Sequence, residues 1–391
     1  MYLRTYLSIV LTVFSSILMA QTKSEKIYSI DSIFTLLERN STQLKLSESS
    51  IELSHSIVSV VKNANLPSID LSLSALYLGN GTILDRNFTN PLKTQIPHYG
   101  NNFSVEASYV VFAGGAINNS IEKAELEVQV AQLYHKKNIS DMRFLVLGYY
   151  LDLCKLQNQK TVFQKNIEQT EVLIKHIAAK QKEGMVLETD LKRYELMLEN
   201  LKLGIIEIEN NIKILNQHLV ITLGLEKETF ILADSTIKNL KLSPISNGEL
   251  MQIAEQNRPE ISITKLNKNI ADVNLKIERA KYYPSLAVIA ADNINGPITI
   301  EIPPIDKNFN YWYLGFALKY NLSSVYKTKQ DVHLAKISKG MSDYAYELEL
   351  ENTQSSIYNA KTKYLESFEK LYTYEKTFQL ACENYKIVNN R

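Results

Sequence analysis

Leu36-Leu37-Glu38-Arg39-Asn40, then Pro67-Ser68 placed 27 residues after the asparagine, then the alternating run Ile69-Asp70-Leu71-Ser72-Leu73, is a pattern that this chain spells twice. About 217 residues later, Ile253-Ala254-Glu255-Gln256-Asn257 is again followed, 27 residues after its asparagine, by Pro284-Ser285 and the strand-like Leu286-Ala287-Val288. Each half reads helix, Pro-Ser, strand, loop, strand, very long helix. An internal repeat in that order is odd for a soluble enzyme and natural for a pore assembled from duplicated units.

The helical parts carry a coiled-coil period. Leu187, Leu191, Tyr194, Leu198, Leu201, Ile205, Ile208, Ile212, Leu215 and Leu219 step by four and three without a fault, the spacing of an a/d seam. Met142, Tyr149, Leu156 and Phe163 recur every seven residues in the preceding segment, beside Val146, Leu153, Ile167 and Ile174. The pattern predicts helices over 116–183 and 185–223, turned at Lys182-Glu183-Gly184-Met185, where glycine accepts a left-handed backbone. At 1.5 Å per residue the first would reach on the order of 100 Å, longer than a globular domain needs. Ile357, Tyr364, Leu371, Phe378 and Tyr385 repeat the signal in a third helix, over 325–391. Such stripes report side-by-side packing rather than a cofactor site.

Four segments alternate as strands, over 68–78, 103–112, 285–292 and 311–321. Ile69, Leu71, Leu73, Ala75 and Tyr77 oppose Asp70, Ser72 and Ser74; Phe103, Val105, Ala107, Tyr109 and Val111 oppose Ser104, Glu106 and Ser108. Trp312, Leu314, Phe316, Leu318 and Tyr320 oppose Tyr313, Gly315, Ala317 and Lys319, while Leu286 to Ala291 is apolar on both faces. The lengths suit tilted transmembrane strands, and aromatic residues near the ends suit a membrane interface. A soluble sheet over a core gives the same alternation; the leader and the long helices tip the reading to a barrel. Four strands cannot close one, so subunits must share it. Asp70, Ser72, Ser74, Ser104, Glu106, Ser108 and Lys319 are the candidate pore-lining residues, with solvated charges near a rim as the plainer alternative for Asp70, Glu106 and Lys319.

The N-terminus has the form of a secretory signal over 1–20: Arg4, an apolar run from Tyr6 to Met19, then Ala20-Gln21. An uncleaved anchor is the alternative reading. Net charge is +1, which points away from nucleic acid as a partner. Cys154 and Cys382 make no disulfide framework. The six histidines have no metal-ligand spacing, and no phosphate-cradling loop or nucleophile elbow is present. The expectation is a non-enzyme without cofactor or metal.

Three motifs then point to a family. Val111-Phe112-Ala113-Gly114-Gly115 looks like the Phe-x-Gly-Gly entry from strand to long helix in the TolC family of outer-membrane efflux proteins. Gly184 through Asp190-Leu191 looks like that family's Gly-x(5)-Asp-Leu hairpin turn, and Leu223-Gly224-Leu225 its Leu-Gly helix ending. The chain resembles this family over nearly its whole length after the leader. The resemblance implies a mainly α fold with transmembrane β: long antiparallel helical hairpins and four strands per subunit, three subunits closing a twelve-stranded barrel. It implies a homotrimer in outer-membrane lipid, its helices extending into the periplasm, serving as a passive conduit for small molecules or proteins. A periplasmic adaptor would dock at the hairpin tip, Gly184, Asp190 and Leu191, and an inner-membrane transporter would supply energy. Phe112, Gly114 and Gly115 would form the strand–helix junction.

Domain expectations follow: a first repeat over 21–225, a connector over 226–247, and a second repeat over 248–391. Leu322-Ser323-Ser324-Val325-Tyr326 lacks the paired glycines at the second junction. The heptads of the two halves, offset by about 208, put the partner of Gly184 near position 392, so the second repeat is expected to be incomplete: a fragment lacking the returning helix and its gating residues, with a trimmed subunit whose tunnel is compromised as the alternative. A soluble periplasmic coiled-coil scaffold or adaptor is the competing class, against which the four alternating strands speak.

Overall fold

The computed structural model describes residues 25–234, 247–301 and 303–389. The leader over 1–20 and most of the connector lie outside them. Contacts divide the chain into two bodies: the described residues among Met1–Ser49 and His135–Pro244, and those among Ser50–Tyr134 and Ile245–Arg391.

In the first body a short strand β1 (Glu25–Tyr28) leads into α1 (Ile30–Asn40). Ser29 caps α1, its hydroxyl accepting from the Ser32 N–H at 3.2 Å, with Asp31 in the first turn and Arg39 in the last, the arrangement that orphan helix-end groups and the helix dipole favour. α2 (Thr42–Lys62) and the 67-residue α3 (Ala116–Lys182) contribute residues to both bodies. α3 turns into α4 (Glu188–Thr222), which is followed by β6 (Phe230–Ala233). The residues between α2 and α3 belong to the second body.

The expected seams form the core. Val146, Leu153, Ile208, Ile212 and Leu219 are buried together with Ile33, Leu37, Leu44 and Tyr150, and Met142, Tyr149, Leu156, Phe163 and Leu215 pack around them. Gly204 has a packing reason: a Cβ there would stand 2.6 Å from the Phe163 ring, so glycine admits the close approach. Cys154 is buried, and both cysteines are free thiols.

A two-stranded parallel ribbon of β1 and β6 lies on these helices. The outer edge of β6 is closed by side chains instead of a third strand. The Asn216 carboxamide donates to Thr229 O at 2.9 Å and accepts from Ile231 N–H at 2.8 Å. Gln157 continues the ladder, donating to Ile231 O at 3.0 Å and accepting from Ala233 N–H at 3.1 Å. Tyr150 ties both strands, its hydroxyl donating to Tyr28 O at 2.7 Å and accepting from Asp234 N–H at 2.8 Å. Burial raises the Tyr150 phenol above its ordinary range, so it remains a neutral donor.

The second body is built on a four-stranded antiparallel sheet of β2 (Ser68–Tyr77), β5 (Tyr99–Phe112), β7 (Ser285–Gly296) and β8 (Phe309–Lys319), in that order. Three of its strands run beyond the alternating segments seen in sequence, β8 starting at Phe309 opposite Asn295 and ending at Lys319, two residues short of the expected 321. β5 reaches back to Tyr99 because Tyr77 pairs with it there, and β7 continues to Gly296 opposite Asn101. Between β2 and β5 a small hairpin forms from β3 (Gly81–Ile83) and β4 (Leu92–Thr94). α5 (Asn247–Asn257), α6 (Pro259–Ala280) and α7 (Ser324–Asn389) complete the body. α6 opens on Pro259 and Glu260, residues suited to a first helical turn. It packs on α7 through Leu275, Val332 and Ala335. Exposed ion pairs such as Lys268–Asp343 (3.0 Å) add little, of order 0–1 kcal/mol each. Among the described residues, no helix is long and apolar enough to cross a membrane.

Replacing Asn216 by Ala should destabilise the fold by about 2–4 kcal/mol, since a buried backbone donor and acceptor of the ribbon lose their partner. Urea unfolding followed by circular dichroism measures this, and an unchanged midpoint would contradict the side-chain closure of β6.

Candidate functional site

The pleat sends alternate side chains to opposite faces of the sheet, and the observed register decides which residues share a face. Asp70 stands opposite Glu106, which stands opposite Ala291, which pairs with Tyr313. The next row reads Ser72, Ser104, Asn293, Tyr311, and the one after it Ser74, Asn102, Asn295, Phe309. On the other side of the Asp70 row, Ser108 faces Ile289 and Gly315, and further on Lys319 pairs with Ser285. The seven strand residues singled out in the sequence therefore all fall on one face. Asp70 and Glu106 are direct cross-strand neighbours, a like-charge juxtaposition that is unfavourable unless water or a counter-ion screens it.

The opposite face is apolar. Ile69, Ala107, Ala290 and Leu314 form one row. Leu71, Val105, Asp292 and Trp312 form the next, with Asp292 accepting from Asn310 Nδ2 at 2.8 Å. This register also settles β7: Leu286, Val288 and Ala290 share the face of Leu318, Phe316 and Leu314.

The apolar face is open, and the polar face is buried only along the central strands, with Asp70, Ser72, Glu106 and Lys319 exposed. Leu71 is 67% exposed and Phe316 76%, whereas Ser104 and Asn293 on the polar face are 7% and 8% exposed. A contiguous exposed face of Ile69, Leu71, Leu73, Trp312, Leu314, Phe316 and Leu318 far exceeds the scattered apolar residues normal on a soluble surface. Tyr77, His98 and Tyr99 cluster at one end, Tyr77 stacked on His98 with ring centroids 5.3 Å apart.

Each strand pair enters its helix differently. After β5, Gly114 and Gly115 both take positive φ, +62° and +84°. A Cβ on Gly114 would stand 2.7 Å from Ala280 O and 2.9 Å from Tyr283, so the site needs glycine both for its backbone and for its space. Phe112 ends β5 on the apolar side, opposite Leu286 after an irregularity at Val110. After β8 the glycines are replaced by a side-chain cap: Asn321 Oδ1 accepts from the Ser323 N–H at 3.1 Å and from its hydroxyl at 2.8 Å, while Ser324 N–H bonds Asn321 O. An Asx turn starts the helix with no positive φ. Asn321 carries this role, and the Asn-x-Ser spacing was its only sequence signal.

The α3–α4 tip is a Schellman ending. Gly184 has φ +75°, its N–H bonds Gln181 O, and Met185 N–H bonds Lys180 O. The turn consumes Gly184 to Leu187, which is why α4 starts at Glu188. Met185 and Leu187 are exposed and nothing approaches Gly184. Asp190 lies exposed in the first turn of α4, where its charge favours the helix N-terminus, and Leu191 is half-buried. Leu223-Gly224-Leu225 repeats the motif, Gly224 at φ +60° and Leu225 N–H bonding Val220 O, with Asn40 Nδ2 donating to Leu223 O at 3.1 Å. That contact gives the asparagine of the first repeat a structural task.

Solved structures share this architecture. The Campylobacter jejuni CmeC outer membrane channel matches with a TM-score of 0.70 at 17% identity, over 92% of this chain and 76% of that one. CusC, described for its folding and transmembrane channel formation, matches with a TM-score of 0.68 at 13% identity, over 85% of this chain and 75% of its own. The outer membrane protein VceC of Vibrio cholerae gives 0.67 at 12% identity, over 86% and 79%. No protein-family model and no curated relative matches the chain. The chain has the fold of these outer-membrane proteins.

Substituting Gly114 by Ala should unfold or misplace the β5–α3 junction, with a loss of at least about 1–2 kcal/mol from the left-handed backbone alone. Asn321→Ala should cost on the order of 1 kcal/mol as a lost cap. Denaturant midpoints of the two variants test the ranking; an inert Gly114→Ala would remove the steric argument.

Proposed function

We propose that the chain is a subunit of an outer-membrane channel: a homotrimer whose sheets close a shared barrel and whose helices extend into the periplasm. It would be a passive conduit, and not an enzyme, for small molecules or proteins leaving the cell. What carries this reading is the two-faced sheet, with a contiguous, exposed apolar face on one side and the polar strand residues gathered on the other. The order β2-β5-β7-β8 leaves two edge strands, and edges in hydrocarbon require partners; further copies of the chain supply them. Asp70, Ser72, Ser74, Ser104, Glu106, Ser108 and Lys319 would then face the water-filled lumen. The tip at Gly184, Asp190 and Leu191 is the proposed docking point for a periplasmic adaptor that links the channel to an inner-membrane transporter. The fold of CmeC, CusC and VceC supports the same assignment.

Two lysine substitutions at neighbouring depths separate the faces. Leu314→Lys puts a charge in the middle of the apolar face, at an expected cost of about 2–4 kcal/mol for insertion, and should abolish assembly in vesicles. Ser108→Lys should insert normally and shift the conductance of planar bilayers toward anions. Equal tolerance of both, or a wild-type chain that stays in buffer without detergent, would refute the channel.

Gly184→Val forces a β-branched residue into the left-handed region and should weaken adaptor capture, measured by pull-down with the tip otherwise intact. Undiminished capture would move the docking point elsewhere.

A further inference from the structure

The sheet-proximal part of α7 carries a feature that the conduit does not require. A cavity of about 400 Å³ in the second body is lined by Tyr282, Lys329, Gln330, Val332, His333 and Lys336. Lys329, His333 and Lys336 follow one another at helical spacing and form one stripe. The stripe lies between the side packed on α6 through Val332 and Ala335 and the exposed apolar residues Leu334, Ile337 and Met341. Neither lysine forms an ion pair among the described residues. The acid on this stretch, Asp331, is held by Lys281 at 3.1 Å. Two unneutralised cations and an imidazole thus rim a pocket backed by Val332 and Tyr282.

Its position along the chain is as telling as its charge. β8 ends at Lys319, and the exposed Tyr320, Leu322, Val325 and Tyr326 extend the apolar face into the first turn of α7. Lys329 follows about 8 Å along the helix, where the headgroup zone of a bilayer, roughly 5–7 Å deep, succeeds the hydrocarbon. Helical side chains lean toward the N-terminus, which here means toward the sheet and the headgroup zone beside it.

From this juxtaposition we infer that α7 and Tyr282 form a binding site for the phosphate-bearing headgroup of an anionic phospholipid, taken from the leaflet at the helical end of the sheet. The inference rests on the channel reading and adds to it a specific lipid contact that anchors the junction between sheet and helices. Lys329 and Lys336 would pair with the phosphate, His333 and Gln330 would hydrogen-bond it, and Tyr282 with Val332 would back the glycerol.

The test uses the full chain in mild detergent, titrated with phosphatidylglycerol, phosphatidylcholine and inorganic phosphate, with bound lipid read by native mass spectrometry. The wild type should retain phosphatidylglycerol in preference to phosphatidylcholine. Lys329→Gln with Lys336→Gln should weaken that retention on the order of 30-fold, the effect of two cations near a lipid surface. Lys363→Gln with Lys376→Gln, on the same helix, should leave it unchanged. Equal retention by both double variants overturns the site. Displacement of the lipid by inorganic phosphate at matched concentration overturns a lipid source in favour of free phosphate. A changed ion preference of the pore with lipid retention intact overturns it in favour of a luminal cluster. A wild-type chain that never enters detergent sinks the channel reading, and this site with it, before any lipid is added.

Discussion

Backbone hydrogen bonding at the sheet edges is the constraint on which the rest depends. β5 and β7 are paired on both sides, but β2 and β8 each present one open edge. In water an open edge is a liability; next to hydrocarbon it is prohibitive, because no solvent can satisfy the free N–H and C=O groups. The apolar face makes the second situation the relevant one for the proposed channel. In the proposed channel the two open edges would be met by strands from further copies, and a copy of the same sheet would offer them in the right direction.

The central ladder, β5 with β7, is also where the two repeats meet. Each repeat supplies a strand pair, and neither pair alone would present more than a two-stranded ribbon. Their pairing places Glu106 beside Ala291 and Ser104 beside Asn293, so that polar residues of both repeats line up on one face. The duplicated helices that follow do not start in duplicated ways. Gly114 and Gly115 open one by a left-handed backbone, and Asn321 opens the other by an Asx turn. Both solve the same problem of turning an extended chain into a helix without leaving N–H groups unpaired.

Much of this was legible in order of residues. The faults-free heptads over α3 and α4 predicted their packing because a helical seam depends only on spacing. The glycines at 114, 184 and 224 announced themselves because a positive φ selects one residue type almost regardless of context. β7 was not legible: Leu286 to Ala291 is apolar at every position, and only its ladders with β5 and β8 show which residues point with Phe316. Gln157 and Asn216 were missed as well. Both sit within helices as ordinary polar residues, and their role in closing the edge of β6 exists only because the chain returns there much later. The Lys329–His333–Lys336 stripe gives no sequence signal of its own, because Tyr282, which completes its pocket, lies more than forty residues earlier in the chain.

The sequence by itself determined the elements whose cause is local: helix lengths from heptads, turns from glycine, strand faces from alternation, and the duplication that orders them. Only the tertiary structure decided what depends on partners distant in the chain. It set the register that gathers seven polar strand residues onto one face, the exposure of the opposite face of leucines and aromatics, and the side-chain ladder on β6. The physical reason is that periodicity states which residues lie together on one element, while the pairing of elements states what each face then meets.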